Sequence, residues 1–202
     1  MPLVEEPILT MRDQICDAIR GEIIAGKLTQ NQPIREQTFA SRFGVSRNSV
    51  RDAFLQLSQE GILVYSPNRG VRVSSAPNKK DSDLFRRLRI ELEIHCIERS
   101  LKHWVDEDDR KVKQLLETLK LACKQKDLKK ITETDLAMHR FWVRKVSVEF
   151  ESIWLSITVR MMIAYSKLED YMQCFKEHEA IVEAISKRDL FAVKKAIKQN
   201  IK

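Results

Sequence analysis

Apolar positions recur at helical spacing from the first residues of the chain. Ile8, Met11, Ile15, Ile19 and Ile23 share one face of a 3.6-residue repeat, and Gly26 follows as a stop signal. The pattern predicts a helix over 8–25. A shorter helix over 36–43 carries Phe39, Ala40 and Phe43 on one face and ends at Gly44. A third begins at Arg47, behind Ser46, whose hydroxyl can accept from the free amides of a first turn. Val50, Phe54 and Leu57 form its apolar stripe, and Gly61 ends it. The period then changes. Residues 62–65 and 71–73 are strand-like runs on either side of Ser66-Pro67-Asn68-Arg69-Gly70, a string of turn formers, which predicts a hairpin. Further on the pattern is helical throughout, with helices predicted over about 82–103, 107–125, 128–145, 148–167, 168–187 and 190–202. Asp81 or Ser82, Asp106, Asp127, Ser147 and Asp189 are the candidate caps. Short connections favour an antiparallel bundle.

Composition divides the chain at the same place. All five glycines precede residue 76, and Ser74-Ser75-Ala76-Pro77-Asn78-Lys79-Lys80 reads as a linker. The expected domains are 1–75 and 82–202, with a linker over 76–81. At 43% hydrophobic and 32% charged residues, the 202-residue chain is ordinary for a globular protein and too apolar for a disordered one. No run of about 18 apolar residues occurs, so no membrane span is expected. Residues 1–10, with Glu5, Glu6 and two prolines, lack the order of a signal peptide, and a cytoplasmic protein is expected. Cys16, Cys96, Cys123 and Cys174 are scattered, which suits reduced core thiols better than a zinc ribbon or disulfide framework.

The net charge of +7 invites a nucleic-acid reading, but its distribution does not support one directly. Residues 1–75 are nearly neutral at +1, and the remaining +6 lies in the second half. The case rests on where individual arginines sit. A short helix, the Gly44-Val45 turn, a capped helix and a hairpin make a winged helix-turn-helix, whose third helix enters the major groove by its N-terminal end. Arg47 and Arg51 lie one turn apart and project together, away from Val50, Phe54 and Leu57. Arg47, Asn48 and Ser49 stand at the helix start, where donors reach phosphates or base edges. Between Pro33 and Arg72 the basic residues are all arginines, at 35, 42, 47, 51, 69 and 72, whose planar forks suit guanine edges and phosphates. The expected fold class is therefore mainly α: an N-terminal winged helix-turn-helix with a small β-hairpin wing, and a C-terminal antiparallel bundle of about six helices.

Gly44-Val45-Ser46-Arg47-Asn48-Ser49-Val50-Arg51-Asp52-Ala53 resembles the "GVSRTPVREAL" signature of the GntR regulators. The stretches 57–63 and 69–73 resemble the two blocks that follow it. The resemblance implies DNA contacts at Arg35, at Ser46, Arg47, Asn48, Ser49 and Arg51, and at the wing tip, Arg69 and Gly70. Asn48-Ser49 departs from the usual Thr-Pro, in which proline pre-sets the first turn.

The second half resembles the FCD effector domain of the FadR branch, in its shorter VanR-like form. Arg89 to Glu93 is similar to "RxxLE", 135–141 to "DxxFH", and Glu177 to Ile185 followed by Asp189 to "EHRAILEAI…D". In such domains an aspartate and three histidines hold a divalent metal of the zinc or nickel type at the floor of an effector pocket. The resemblance assigns Asp135, His139 and His178 to that set, and the first two share a helix face at i and i+4. The fourth position carries Asn200, whose neutral carbonyl oxygen is a weaker ligand than imidazole. The bland alternative is a hydrogen-bonded Asp135–His139 pair and a satisfied core His178. Met138 stands where phenylalanine is usual. His95, His103, Met161-Met162, Trp142 and Trp154 read as ordinary surface or core positions. Arg89 and Arg160 are the candidate forks for an anionic effector, a small carboxylate.

Together these features predict a non-enzymatic transcription regulator, bound as a homodimer to a palindromic double-stranded operator and controlled by the effector. Two other classes compete with it. A DNA binder whose bundle only dimerises would show a solid helical core. A metal-dependent enzyme would need a general base beside the cluster.

Overall fold

The computed structural model describes residues 10–66, 70–163 and 170–202. The chain divides into two compact units, the first ending at Ala76 and the second beginning at Pro77.

In the first unit, α1 spans Met11–Ile24 and starts later than the expected Ile8, which lies outside the described residues. Its start is fixed by Thr10: the Thr10 hydroxyl accepts from Asp13 N–H at 3.2 Å, and Asp13 Oδ2 accepts from Thr10 N–H at 3.2 Å. This capping box satisfies orphan donors at both ends of the first turn. Next come β1 (Pro33–Ile34), α2 (Glu36–Phe43) and α3 (Arg47–Gln59), then β2 (Leu63–Ser66) and β3 (Gly70–Val73). Helix α2 ends on Gly44 in the left-handed region at φ 66°, where glycine carries no Cβ penalty. Ser46 caps α3 as its sequence position predicts, its Oγ accepting from Ser49 N–H at 3.1 Å.

The wing is a three-stranded antiparallel sheet in the order β1-β3-β2. The hairpin pairs Leu63 with Val73 and Ser66 with Gly70, and its turn at 67–69 lies outside the described residues. Strand β1 is an addition to the expected hairpin. It is two residues long and opens on a proline, which cannot donate to a ladder and is tolerated only at an edge. Ile15, Ile19, Phe39, Val50, Phe54 and Leu57 fill the core. Arg20, buried on α1, clamps Glu60 at the end of α3 with 2.6 Å contacts to both carboxylate oxygens.

The second unit contains α4 (Lys79–Ser100), a 3-10 turn (Leu101–His103), α5 (Asp106–Gln125), α6 (Leu128–Arg144), α7 (Val148–Met162), α8 (Tyr171–Ser186) and α9 (Leu190–Asn200). Helix α4 begins inside the predicted linker: Asn78 is its cap, not Asp81 or Ser82, and Asn78 Oδ1 accepts from Asp81 N–H at 3.0 Å. Asp106 is likewise the first residue of α5 and not its cap; the cap is Val105, whose N–H is taken by Asp108 Oδ2 at 2.8 Å. Asp127, Ser147 and Asp189 cap α6, α7 and α9 as predicted, and Asp170 caps α8. Helix α4 packs on α6, α7 and α9, while α5 packs on α6 and α8. Trp142, Trp154, Met138, Leu119, Ile181 and Ile185 are fully buried between them. The cysteines are free, and burial pushes the Cys16 and Cys123 thiols up to about 12. No helix among the described residues is long and apolar enough to cross a membrane.

Candidate functional sites: an open arginine face and a buried histidine cluster

The first site is the N-terminal end of α3 with its surroundings. Val50, Ala53, Phe54 and Leu57 turn one side of the helix into the core, which leaves Arg47, Asn48, Arg51 and Asp52 exposed on the other. Arg35 is exposed at the N-cap of α2. Among the described residues Arg35, Arg47 and Arg51 make no ion pair, so their charges are not spent inside the molecule. Arg42 differs. It pairs with Glu22 at 2.5 Å and lies over the rings of Phe39 and Phe43, which makes it part of the α1–α2 packing. The Ser46 and Ser49 hydroxyls lie 2.9 Å apart. One donates to the other, so one hydroxyl proton remains for an outside acceptor. Gly70 opens β3 at φ 73°, a conformation that disfavours any side chain. Arg69 lies outside the described residues. The sequence reading passed over Tyr65, a 43% exposed residue on β2. Burial and then the Glu36 carboxylate push its phenol pKa up, and Arg51 opposes them, so the ring stands among groups of α2 and α3.

The second site lies among the helices of the C-terminal unit. Asp135 and His139, one turn apart on α6, meet His178 of α8. One ligand atom from each lies within 4.8 Å of the others. His178 Nε2 is 2.8 Å from Asp135 Oδ1 and 3.3 Å from His139 Nε2. The opposite ring nitrogens are anchored. His178 Nδ1 donates to the Cys174 carbonyl oxygen at 2.8 Å, and His139 Nδ1 donates to Glu93 Oε2 at 2.5 Å. Both Nε2 atoms therefore face the same point, beside a carboxylate. That is the arrangement in which a cation finds two lone pairs and a negative charge. Without a cation, a proton fills the role. Burial pushes the His178 pKa down, but the charge and hydrogen bond of Asp135 carry it up to about 10. Burial likewise pushes Asp135 up, and His178 holds it below the ordinary carboxylate range.

Glu93 on α4 is the polar centre of this region and was missed from sequence. It is fully buried and accepts from four donors. Arg89 Nε and Trp154 Nε1 reach Oε1 at 2.8 and 2.6 Å, and His139 Nδ1 and Trp142 Nε1 (3.2 Å) reach Oε2. Burial pushes its pKa up, but its neighbours His139 and Arg89 and these hydrogen bonds pull it down to about 2, so it stays ionised. The available signal was its place at i+4 from Arg89, closing the "RxxLE" block.

Comparison with known proteins agrees with both halves. The description "Bacterial regulatory proteins, gntR family" fits residues 11–73, and that of the FCD domain fits residues 85–202. The chain belongs to the gntR family of regulators, in its FCD-bearing branch. It is a DNA-binding transcription regulator with an effector-binding C-terminal domain. The regulator is 26% identical over 195 residues to the gluconate operon transcriptional repressor of Bacillus subtilis (strain 168), covering 90% of this chain and 78% of that one. It is 24% identical over 203 residues to the transcriptional repressor RspR of Escherichia coli (strain K12), covering 96% and 87%. Its fold matches that of E. coli McbR/YncC with a TM-score of 0.84 at 18% identity, over 96% of each chain.

The other expected site residues of the regulator fall in different places. Asn200, at the end of α9, puts Nδ2 3.5 Å from His178 Nδ1, the nitrogen facing away from Asp135. Its contact is to the back of a ligand ring. Arg89 is buried beside the cluster with its guanidinium 5.6 Å from the Trp154 ring. Its Nε is used by Glu93, while among the described residues its two terminal nitrogens carry no hydrogen bond. Arg160 stacks 4.6 Å from the Phe85 ring, one turn before Arg89 along α4. Trp142 and Trp154 are core residues, as expected, and are also donors to Glu93. His95 is exposed and lies edge-on to Phe150.

Proposed function

We propose that the regulator binds a two-fold symmetric operator as a homodimer through Arg35, Ser46, Arg47, Asn48, Ser49, Arg51, Arg69 and Gly70. Its C-terminal domain would hold a divalent cation on Asp135, His139 and His178 and a small carboxylate at the Arg89 fork. The observation that carries this reading is the convergence of three ligand atoms within 4.8 Å, each histidine anchored through its opposite nitrogen. An N₂O donor set of this kind suits zinc, nickel or a similar ion. When bound, such a cation supplies positive charge that draws a carboxylate. The regulator's own residues do the rest: Arg89 offers two terminal nitrogens, without a hydrogen bond among the described residues, for a bidentate anion, and Glu93 holds the guanidinium in place. Arg160, engaged with Phe85 one turn away, is a secondary candidate for the far end of the effector.

Repression is the sense favoured by the names of the curated relatives, and a DNA-binding role supports a cytoplasmic location. Homodimerisation rests on the single recognition helix, which reads half of a symmetric site. Sedimentation at micromolar concentration should show a dimer; a monomer both free and on DNA would refute it. An enzymatic reading is disfavoured by Glu93. The buried carboxylate beside the cluster spends both oxygens on four donors and has no capacity left as a general base. The dimerisation-only reading is disfavoured by a cluster of buried, ionised groups that a purely structural core would not need.

The test is metal analysis of the purified protein and calorimetry with a panel of small carboxylates. Stoichiometric cation, with carboxylate binding lost in His139→Ala and Arg89→Ala, is expected. No cation, no carboxylate heat and no thermal shift would reject the pocket while leaving the DNA-binding role intact.

A further inference from the structure

All four partners of Glu93 reach it as donors, and three of them, Arg89 Nε, Trp142 Nε1 and Trp154 Nε1, can only donate. A carboxylate, with two oxygens and about four lone-pair sites, is the side chain that accepts from all of them. The fourth partner is different in kind. An imidazole can place its proton on either nitrogen, and the bond made at one nitrogen decides what the other can do. His139 has a choice to make. Its Nε2 faces His178 Nε2 at 3.3 Å, and the Asp135 carboxylate lies in the same cluster. A proton on Nε2 would find an acceptor there, and the lone pair would then be lost to a cation.

We infer that Glu93 is a positioning residue that fixes the His139 proton on Nδ1 and so keeps Nε2 bare toward the cluster. The inference rests on the cation reading above and deepens it, because it names the residue that makes His139 a ligand. Rotation of the ring is blocked as well. Trp142, three residues along α6, lies edge-on to His139 with ring centres 4.9 Å apart and is tied to the same Glu93 oxygen. Glu93 and His139 are both fully buried, so water offers no substitute acceptor. Arg89 holds the other carboxylate oxygen at 2.8 Å, which makes the group that orients the histidine also the group that orients the anion fork.

Glu93→Gln isolates the effect, since it keeps the shape and replaces one oxygen by an NH₂ group. The amide oxygen is expected to stay with the charged Arg89, which leaves the NH₂ facing His139. The ring must then accept at Nδ1, and its proton moves to Nε2. Two readouts follow in the full-length protein. In ¹⁵N-resolved spectra of the histidine rings, the wild type should carry a proton on His139 Nδ1 with or without Zn²⁺, and Glu93→Gln should carry it on Nε2. The Zn²⁺ dissociation constant should rise about 10- to 100-fold in Glu93→Gln, the usual loss when an outer partner of a ligating histidine is removed. Trp142→Phe removes a donor but keeps the carboxylate, so its His139 proton should stay on Nδ1 and its Zn²⁺ affinity within a few-fold of wild type. This variant and the wild-type spectrum decide the question even if Glu93→Gln does not fold. A wild-type His139 without a proton on Nδ1 would overturn the inference, as would a Glu93→Gln protein with unchanged tautomer and Zn²⁺ affinity. If the wild type binds no Zn²⁺ but the proton still moves in Glu93→Gln, the cation reading fails and the positioning role of Glu93 stands.

Discussion

The two candidate sites use charge in opposite ways. At the proposed DNA-facing site, Arg47 and Arg51 on α3 and Arg35 at the N-cap of α2 are exposed and make no ion pair among the described residues. In the C-terminal bundle, Glu93, His139 and His178 are fully buried, and their polar atoms find partners within the protein. A face that must meet a phosphate backbone keeps its charges free and solvated. A site that must hold a small ion dry has to satisfy its own polar atoms first, or the unfolded chain wins. The first site should therefore tolerate mutation structurally and fail in binding. The second should fail in both.

The largest effect expected is that of Glu93→Ala. It leaves Arg89, His139, Trp142 and Trp154 without their acceptor inside the core, and removing one member of such a buried network costs about 3–5 kcal/mol. Denaturant unfolding should show that loss in the midpoint with little change in slope. A cost below about 1 kcal/mol would mean that the network is not held as the structure describes. The contrast is set by Arg47→Ala and Arg51→Ala. Stability should stay within about 0.5 kcal/mol of wild type. Operator affinity should fall by about 1–3 kcal/mol, with specificity relaxed at one base pair, when a bidentate base contact is lost. Anisotropy titrations with unchanged affinity and salt dependence would remove these arginines from the interface.

A pH scan sharpens the contrast further. In the cation-free protein His178 is raised to about 10 from its ordinary 6.5. Its pairing with Asp135 stabilises fully below about pH 6.5 and fades as pH rises through 10, by at most about 1.4 kcal/mol per pH unit for one proton. Asp135, held below its ordinary range, sets the acid limit: its contribution is present above about pH 4 and lost as pH falls. The alkaline decline in thermal midpoint should flatten with saturating Zn²⁺, because the cation takes the proton's place. A decline of the same slope in His178→Gln would assign it to another group. Arg35→Ala should lower the magnitude of the log K against log salt slope by about one and weaken all sequences alike, the mark of a phosphate contact. The smallest effect expected is that of Asn200→Ala on Zn²⁺ affinity, less than about tenfold, because Asn200 touches the rear nitrogen of His178. A loss of a hundredfold or more would promote it to a ligand.

The α3 face was legible in the sequence because its information is local. Ser46, Arg47 and Arg51 act from the first turns of one helix, and their side chains go where the 3.6-residue repeat sends them. Asp135 and His139 were named by the family resemblance, and their i and i+4 spacing on α6 explains why they share a face. Helix starts were less legible where several residues could cap: Asn78 took α4 from Asp81 and Ser82, and Val105 with Asp108 took α5 from Asp106. The strand Pro33–Ile34 was too short to show a period at all. Glu93 is the instructive omission. Its i+4 partner Arg89 is visible along the chain, but its other three donors come from α6 and α7, 46 to 61 residues away. Only packing brings them together. Trp142 and Trp154 looked like pure core for the same reason, since a sequence does not show where an indole N–H will find its acceptor.

Control of the open arginine face by the buried cluster is tested most directly by operator affinity measured with and without the ions that the cluster would take. A duplex selected from a random pool by the wild-type protein serves as operator. Its dissociation constant is measured at fixed ionic strength, with the protein stripped of metal and then saturated with Zn²⁺ and a carboxylate found by calorimetry. Coupling of about 1–3 kcal/mol predicts a change of about 5- to 150-fold in the wild type, and none in His139→Ala. A wild-type affinity identical in the two states, on a protein shown to have bound both ions, would contradict it.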